Sequence, residues 1–218
     1  MLFQFSDEQV MLTQLVEKYT NDHYDVVKRS LYLKEPQGFS QKNWDILAKT
    51  GVLAAPLSEE SGGLGGRAGD LISVMQPLGR AVSVEPILSC AVFASHFLDN
   101  NGTPEQRKTL LPKFAEGSLQ LAIAHSERNA RYDLGYVTTT YSETSDGYVI
   151  NGHKTFVLGA GAADTFIVSA IAEGESCDDK SNIKFFIVDG LTSEFSKRTY
   201  RLVDGSCLLY TSPSPRDA

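Results

Sequence analysis

Apolar residues in the first half of the chain recur three and four positions apart, which is typical of amphipathic helices. The first such stripe consists of Leu12, Leu15, Val16 and Tyr19. Ser6 precedes this stripe and Gln9 follows Ser6 by three positions, which is a capping-box pattern. A first helix is therefore expected to begin just after Ser6.

Three further helices are expected from similar signals. Ser40 is placed to cap a helix that Gly51 would end. The next helix is expected around Val74, and Pro77 should kink or end it. A fourth is expected from Pro86 to the segment "DNNG".

The strongest helix start in the chain is "TPEQ". In this segment Thr103 is the cap, Pro104 takes the first helical position and Gln106 closes the capping box. This fifth helix is expected to reach Gly117.

Beyond Gly117, β-branched and aromatic runs replace the helical pattern. Five runs are expected to form strands: "YVTTTY", "YVI", "TFVL", "DTFIVSAIA" and "IKFFIVDG". Asp146-Gly147 and Asn151-Gly152 are typical of tight hairpin turns, so the first three strands are expected to form an antiparallel meander. The predicted fold class is α+β, with an all-helical domain at 1–117 followed by an antiparallel β-barrel-like domain at 118–206.

The last twelve residues resemble neither domain. The run "CLLYTSPSPRD" resembles one translated reading frame of an adapter used in DNA sequencing libraries. We therefore expect 207–218 to be a non-native tail and the natural chain to be cut near Ser206. The alternative is a natural Ser/Pro-rich disordered tail.

Composition narrows the function classes. A formal net charge of −7 argues against a nucleic-acid surface, which needs dense Lys and Arg. No apolar run approaches the roughly 18 residues needed to span a bilayer, and the N-terminus lacks the pattern of a signal peptide. Cys90, Cys177 and Cys207 are isolated thiols, which suit a reducing cytoplasm. The histidines show no metal-ligand spacing, so no metal site is expected.

Five segments in this order resemble the acyl-CoA dehydrogenase family. They are "FSDEQ", "LAKTGVLAAPLSEESGGLGG", "GTPEQRKTLLPKFAEG", "AHSE" and "GYVINGHKTFV". The resemblance covers Phe3 to about Gly205. Within the family, "AHSERNARYDL" and "HKTFVLGAGAAD" look most like the small subunit of pimeloyl-CoA dehydrogenase and related two-gene enzymes.

The resemblance implies a third, C-terminal four-helix domain, with FAD held between that domain and the β domain. It implies that a Glu on the missing domain removes the α-proton of an acyl-CoA thioester, that a hydride passes to the flavin, and that an electron-transfer flavoprotein reoxidises it. No catalytic residue is therefore expected in this chain, and the fragment alone is expected to be inactive. The resemblance also implies a homo-oligomer, or a hetero-oligomer with a paired large subunit.

The resemblance implies that the stretch ending at "AHSE" contacts the flavin. The backbone N–H groups of Ile123 and His125 and the hydroxyl of Ser126 fall at the family's flavin-binding positions. The alternative for Ser126 is that it only caps the turn.

The segment "NARY", which follows Arg128, takes the place of the family's Gly-Ala-Gly-Ser, whose glycines have no side chain and let the backbone approach a ligand. Either Arg128 or Arg131 supplies charge to a phosphate, or both pair with Glu127 and Asp133 on the surface. Tyr132 is expected either to line an acyl channel or to pack under the loop. Arg131 and Tyr132 are thus the candidates for substrate binding.

The second flavin segment is "KTFVLG". Phe156 stands where the family commonly has a Trp and can present a ring face to the flavin. Its alternative role is an ordinary aromatic in the core. Leu158 stands where the family commonly has a Thr, and it cannot supply that hydroxyl.

Two rivals to a dehydrogenase remain open. The first is a non-catalytic structural subunit of a heteromeric acyl-CoA dehydrogenase, which Leu158 and the crowded loop favour. The second is another flavin reaction on the same fold, such as that of an oxidase or a monooxygenase. A dinucleotide-binding interpretation of "GGLGGRA" is disfavoured, because no clear strand precedes it.

Overall fold

A computed structural model of the protein describes residues 5–66, 68–145, 147–176, 180–193 and 195–213. Asp146, Cys177 and the end of the tail lie outside these residues. The chain divides into two compact units, Met1–Leu119 and Gln120–Ala218. The first unit is helical and the second is built on strands, so the predicted α+β class is confirmed.

Six α-helices form the described part of the first unit. They are α1 (Asp7–His23), α2 (Val26–Tyr32), α3 (Gln41–Lys49), α4 (Ala68–Arg80), α5 (His96–Asn101) and α6 (Pro104–Ala115). A π-helical segment, Leu88–Ser95, leads directly into α5. Among the described residues, no helix is both long and apolar enough to cross a membrane.

Both predicted capping boxes are confirmed. The Gln9 N–H donates to Ser6 Oγ at 3.2 Å, and the Ser6 N–H donates to Gln9 Oε1 at 3.0 Å. Thr103 and Gln106 make the equivalent pair at 3.2 and 2.9 Å. Each box satisfies two N–H groups that the first turn of a helix leaves unpaired.

The observed helices differ from the sequence-based expectations in detail. The sequence signals did not predict α2, which Asp25 caps by accepting a hydrogen bond from the Lys28 N–H at 2.8 Å. Of the two outcomes expected at Pro77, a kink or an end, the end does not occur, because α4 continues to Arg80 and the proline lies in its last turn. The helix expected from Pro86 to "DNNG" is confirmed, with the π-helical segment Leu88–Ser95 continuing directly into α5.

The core of the first unit centres on Trp44 of α3 and Phe114 of α6, both fully buried. Their rings meet edge to face with centroids 6.4 Å apart, and the Trp44 indole N–H donates to the Gly117 carbonyl oxygen at 3.1 Å. Gly117 has φ +79°, and a Cβ there would lie 2.8 Å from the Cβ of Ala48. Glycine is therefore required where α6 ends.

The second unit contains eight strands. They are β1 (Leu121–Ala124), β2 (Thr140–Thr144), β3 (Gly147–Asn151), β4 (Lys154–Leu158), β5 (Thr165–Ala172), β6 (Lys184–Asp189), β7 (Phe195–Arg201) and β8 (Cys207–Pro213). One sheet has the order β1-β5-β2-β3, with β6 also paired to β5, and the other has the order β4-β8-β7. Side chains from β1, β4, β5 and β7 form the buried core of this unit.

The predicted antiparallel barrel is wrong. The larger sheet is open, and β5 pairs in parallel with both β1 and β2. The hairpin between β2 and β3 is confirmed, but β3 and β4 belong to different sheets, so Asn151-Gly152 makes no hairpin. A Cβ at Gly152 would lie 2.5 Å from Thr139 Oγ1, which shows that this glycine permits a close approach between two segments.

The segment expected to be a non-native tail begins with a strand. The backbone of β8 pairs antiparallel with β7 on one side and with β4 on the other. Ladder hydrogen bonds use main-chain groups, which every non-proline residue carries. The origin of residues 207–218 stays a prediction.

Candidate functional site

The two segments that the sequence predicts to contact a flavin lie side by side in the second unit. Strand β1 is an edge strand, and His125 and Ser126 follow its last residue. The Thr155 N–H of β4 donates to the Ser126 carbonyl oxygen at 2.8 Å. The end of β1 and the start of β4 are therefore fixed to each other through the main chain.

Strand β4 carries a β-bulge. Lys154 pairs with Thr211 and Val157 pairs with Leu209, so β4 has one residue more than β8 between these pairs. Within the bulge Phe156 has φ +54°, a value that costs a non-glycine residue roughly 1–3 kcal/mol. Bulges re-aim side chains, and this one accompanies a Phe156 ring that is 61% exposed.

The exposure of Phe156 excludes the alternative that it is an ordinary core aromatic. The core position is taken by Val157, which is buried. Leu158, next along the strand, is 43% exposed. Phe156 and Leu158 thus offer apolar surface that a planar ring could cover.

Two hydroxyls, those of Ser126 and Thr155, belong to the segments that form this surface, and the buried one lacks a hydrogen-bond partner within the described residues. The Ser126 side chain, at the end of β1, is half-buried. Thr155 is only 5% exposed, and its Oγ1 is buried without a hydrogen-bond partner. A buried hydroxyl without a partner costs free energy that a bound ligand can recover.

A cleft of about 1100 Å³ opens beside these residues. It is lined by Glu127, Arg128, Asn129, Thr138, Gly152, His153, Lys154, Thr155, Phe156, Ser196, Arg198, Tyr200 and Leu202. Arg128 and Arg198 are both exposed, and the Arg198 guanidinium lies 5.3 Å from the centroid of the Tyr200 ring. The cleft thus combines cations with aromatic faces.

The crowded loop after Glu127 does not show one of the two expected arrangements, the pairing of Arg128 and Arg131 with Glu127 and Asp133. Glu127 pairs with Lys154, and Asp133 pairs with Lys180 at 3.6 Å, so neither carboxylate takes an arginine partner among the described residues. Tyr132 is fully exposed, so it does not pack under the loop. Arg131, at φ +52°, is also exposed, and neither residue lines the cleft.

Glu127 lies at the centre of a buried hydrogen-bond network. Its carboxylate accepts from the Thr138 and Thr139 N–H groups at 2.8 and 3.0 Å, and also from both threonine hydroxyls. Lys154 Nζ donates to Glu127 Oε1 at 2.7 Å. Burial raises the pKa of Glu127, but the hydrogen bonds from Lys154 and Thr138 outweigh it and hold this pKa at about 2.

The Lys154 ammonium group is enclosed by acceptors from several segments. It donates to the His125 carbonyl oxygen at 3.2 Å, to Glu127 Oε1 and to Ser169 Oγ at 2.8 Å. Burial lowers the pKa of Lys154, and the carboxylate of Glu127 opposes this effect.

The His125 side chain completes the same network. One ring nitrogen, Nε2, donates to the Leu134 carbonyl oxygen at 2.8 Å, because a carbonyl oxygen can only accept. Burial lowers the pKa of His125, which favours the neutral ring, and with Nε2 as the donor, Nδ1 is the nitrogen that can accept from Ser169 Oγ, 2.9 Å away. The ring also stacks on Phe185. The His125 side chain is thus engaged in the network, which leaves its main chain for the flavin contact that the resemblance implies.

Sequence reasoning therefore brought together Ile123, His125, Ser126, Phe156 and Leu158 around one region, but it missed three residues. It gave no role to Thr155, Lys154 or Ser169. Strand alternation groups Lys154 with Phe156 and Leu158 on one face, and only the bulge separates the buried lysine from its exposed neighbours. No local signal predicts that bulge.

Fold and site together define a two-unit α+β protein whose cleft suits a planar, anionic cofactor. Comparison with family descriptions agrees: "Acyl-CoA dehydrogenase, N-terminal domain" matches residues 6–118, and "Acyl-CoA dehydrogenase, middle domain" matches residues 122–206. The chain belongs to the acyl-CoA dehydrogenase family. Members of this family are FAD-dependent, and the unpaired Thr155 hydroxyl and the exposed Phe156 side chain fit a flavin.

Individual relatives are distant. The short-chain specific acyl-CoA dehydrogenase of Clostridium acetobutylicum is 28% identical over 173 residues, which are 78% of this chain and 45% of that protein. The acryloyl-CoA reductase (NADH) of Anaerotignum propionicum is 30% identical over 175 residues, 78% of this chain and 44% of that protein. The chain thus spans about half the length of the curated relatives it matches.

Solved structures share the fold. The ChsE4-ChsE5 complex from Mycobacterium tuberculosis is similar with a TM-score of 0.82 and 25% identity, over 97% of this chain and 55% of that chain. Butyryl-CoA dehydrogenase from Megasphaera elsdenii has a TM-score of 0.83 and 22% identity, over 97% of this chain and 56% of that chain.

Proposed function

We propose that this chain supplies the N-terminal and middle domains of a flavin-dependent acyl-CoA dehydrogenase, which introduces a double bond α,β to the thioester of an acyl-CoA. The observation that carries the proposal is the buried, unpartnered hydroxyl of Thr155 beside the exposed Phe156 side chain, with Thr155 joined through the main chain to Ser126. Family membership supplies the cofactor that this surface would take.

In this proposal the end of β1 and the bulge of β4 hold the flavin ring. The Ile123 and His125 main chains and the Ser126 hydroxyl bind its polar edge. Phe156 covers one face, and Leu158 contributes apolar contact without a hydrogen bond.

The arginine nearest the flavin residues is proposed to bind phosphate. Arg128 lines the cleft, and a guanidinium suits a phosphate oxygen pair. Arg131 and Tyr132 lie on the exposed loop, where they would contact the acyl-CoA substrate from outside the cleft. The particular likeness to the pimeloyl-CoA dehydrogenase small subunit would make that substrate a dicarboxyl-CoA.

Bound FAD would accept the hydride taken from the β-carbon of the acyl group. The resemblance puts the base for the α-proton, a Glu, in a C-terminal helical domain, so the proposal assigns no base to the described residues. An electron-transfer flavoprotein would reoxidise the flavin. The proposed location is the cytoplasm, because isolated thiols suit a reducing compartment.

A second candidate is the structural subunit of a heteromeric acyl-CoA dehydrogenase. Two observations favour it: Leu158 offers no hydroxyl at the expected flavin contact, and Arg131 and Tyr132 stand where the family has Gly and Ser. The similar ChsE4-ChsE5 protein is itself a complex of two named chains, which supports pairing with a large subunit.

Anaerobic addition of acyl-CoAs to the complete, FAD-reconstituted protein separates the two candidates. A dehydrogenase should bleach its flavin absorbance with at least one member of a panel of fatty, dicarboxyl and aromatic acyl-CoAs. Bleaching that needs a co-expressed large subunit would identify the structural role. Failure of the protein to bind FAD, alone and with a partner, would refute both.

A further inference from the structure

The predicted flavin contacts depend on one another through Lys154 and Thr155. Lys154 Nζ donates a hydrogen bond to the His125 carbonyl oxygen at 3.2 Å, and the Thr155 N–H donates one to the Ser126 carbonyl oxygen at 2.8 Å. These two residues directly precede Phe156 in the bulge of β4. The distance between the Ser126 hydroxyl and the Phe156 ring is therefore set by contacts that begin at Lys154.

The ion pair that anchors this arrangement is almost completely enclosed. Side-chain exposure is 0% for Lys154 and 4% for Glu127. The three N–H groups of Lys154 meet three acceptors, and the Glu127 carboxylate meets four further donors from Thr138 and Thr139. Such a pair rarely adds stability over well-packed apolar residues, and its main effect here is to fix the geometry of the segments that it joins.

The bulge needs an anchor of this kind. Phe156 has φ +54°, a conformation that persists only where its neighbours impose it. Lys154 and Thr155 fix the chain on one side of Phe156, and Val157, paired with Leu209, fixes it on the other. Loss of the first anchor would let the bulge relax and turn the ring away.

We propose that Lys154 and Glu127 form a positioning pair, which holds the Ser126 hydroxyl and the Phe156 ring in register for the flavin. This inference rests on the proposed function, since it concerns the same cofactor. The pair acts through its neighbours: Lys154 through the backbone of His125 and the bulge, and Glu127 through Lys154.

The test compares FAD affinity in the complete protein with that of two variants, Lys154→Met and the double variant Glu127→Gln/Lys154→Met. The double variant leaves no unpaired buried charge, so it remains informative if the single variant does not fold. Val168→Ala is the matched control. Val168 belongs to the buried core on β5, and its side chain faces away from Ser169 because strand residues alternate.

The measurements are the FAD dissociation constant, from fluorescence quenching, and amide exchange of the Thr155 N–H in the FAD-free protein. We expect the double variant to raise the FAD dissociation constant roughly tenfold or more. Loss of the residues that orient metal ligands weakens metal binding by a similar factor. We also expect Thr155 exchange to accelerate by about tenfold or more. Val168→Ala should lower the melting temperature and leave both quantities near those of the wild type.

Wild-type affinity and wild-type exchange in the double variant would overturn the proposal. Equal weakening of FAD binding by Val168→Ala would also overturn it, because the effect would then follow general stability. If the wild type binds no FAD, the proposed function fails, and the exchange of Thr155 decides the positioning pair alone: unchanged exchange in the double variant refutes it.

Discussion

Acid should selectively remove the stability that Glu127 contributes. The network around its carboxylate holds the pKa at about 2 in the folded protein, against an ordinary 4.5. Because the folded-state pKa is the lower one, the unfolded chain binds the proton first as the pH falls. The contribution is therefore complete above about pH 4.5 and is lost progressively toward about pH 2.

The magnitude follows from these two values. At about 1.4 kcal/mol for each tenfold change in proton affinity, the difference between 4.5 and about 2 corresponds to about 3 kcal/mol. Domains are stable by roughly 5–15 kcal/mol, so a loss of this size should be easy to resolve.

The assay is urea unfolding of the wild type and of Glu127→Gln/Lys154→Met between about pH 6 and about pH 2. Backbone N–H groups also lower the pKa of Asp25 and Asp133, but both residues are present in both proteins, so their effects cancel. The free energy of unfolding of the wild type should fall by about 3 kcal/mol relative to the double variant. If the difference in the free energy of unfolding between the two proteins stayed constant over this pH range, the network would not lower the pKa of Glu127.

Three further predictions concern single side chains. Thr155→Val should weaken FAD binding by roughly two- to tenfold, the equivalent of one hydrogen bond, with no loss of stability in the FAD-free protein; unchanged affinity would show that the hydroxyl does not meet the cofactor. Phe156→Gly should be more stable than Phe156→Ala by about 1–2 kcal/mol in urea unfolding, because glycine has no Cβ penalty at φ +54°; equal stabilities would contradict the strained bulge. Gly63→Ala should lower the melting temperature by the equivalent of about 1–3 kcal/mol, since a Cβ there would lie 2.2 Å from the Leu57 carbonyl oxygen. Gly79→Ala, in the exposed part of α4 with open space around it, should instead raise it slightly, and a loss in both variants would count against the steric explanation.

The parts of the fold that the sequence predicted well are those with local causes. The boxes at Ser6 and Thr103 depend on residues three positions apart, so the capping hydrogen bonds follow from the sequence alone. The hairpin between β2 and β3 likewise needs only a short turn between two strand-forming runs.

The parts that were missed depend on contacts between distant residues. Asn151-Gly152 has hairpin chemistry, but the close approach of Thr139 to Gly152 and the pairing of β4 with β8 take the chain into another sheet. Parallel pairing of β5 with β1 and β2 joins segments that no short turn connects.

The candidate site shows the same division. Ser126 and Phe156 were predicted from the family resemblance, whereas the sequence around Lys154 is typical of a surface lysine beside a turn. Its burial depends on Glu127 and Ser169, which lie 27 and 15 residues away. A charge becomes tolerable in a core only when such partners assemble around it, and spacing along the chain does not report that.

An experimental structure of the complete protein with bound FAD tests the central claim most directly. The account predicts the flavin ring against Phe156, with a flavin polar atom within hydrogen-bonding distance of Ser126 Oγ and another near Thr155 Oγ1. It further predicts that the Lys154–Glu127 pair is unchanged from the arrangement described here. A flavin bound elsewhere on the protein, or one that meets neither hydroxyl, would contradict the account.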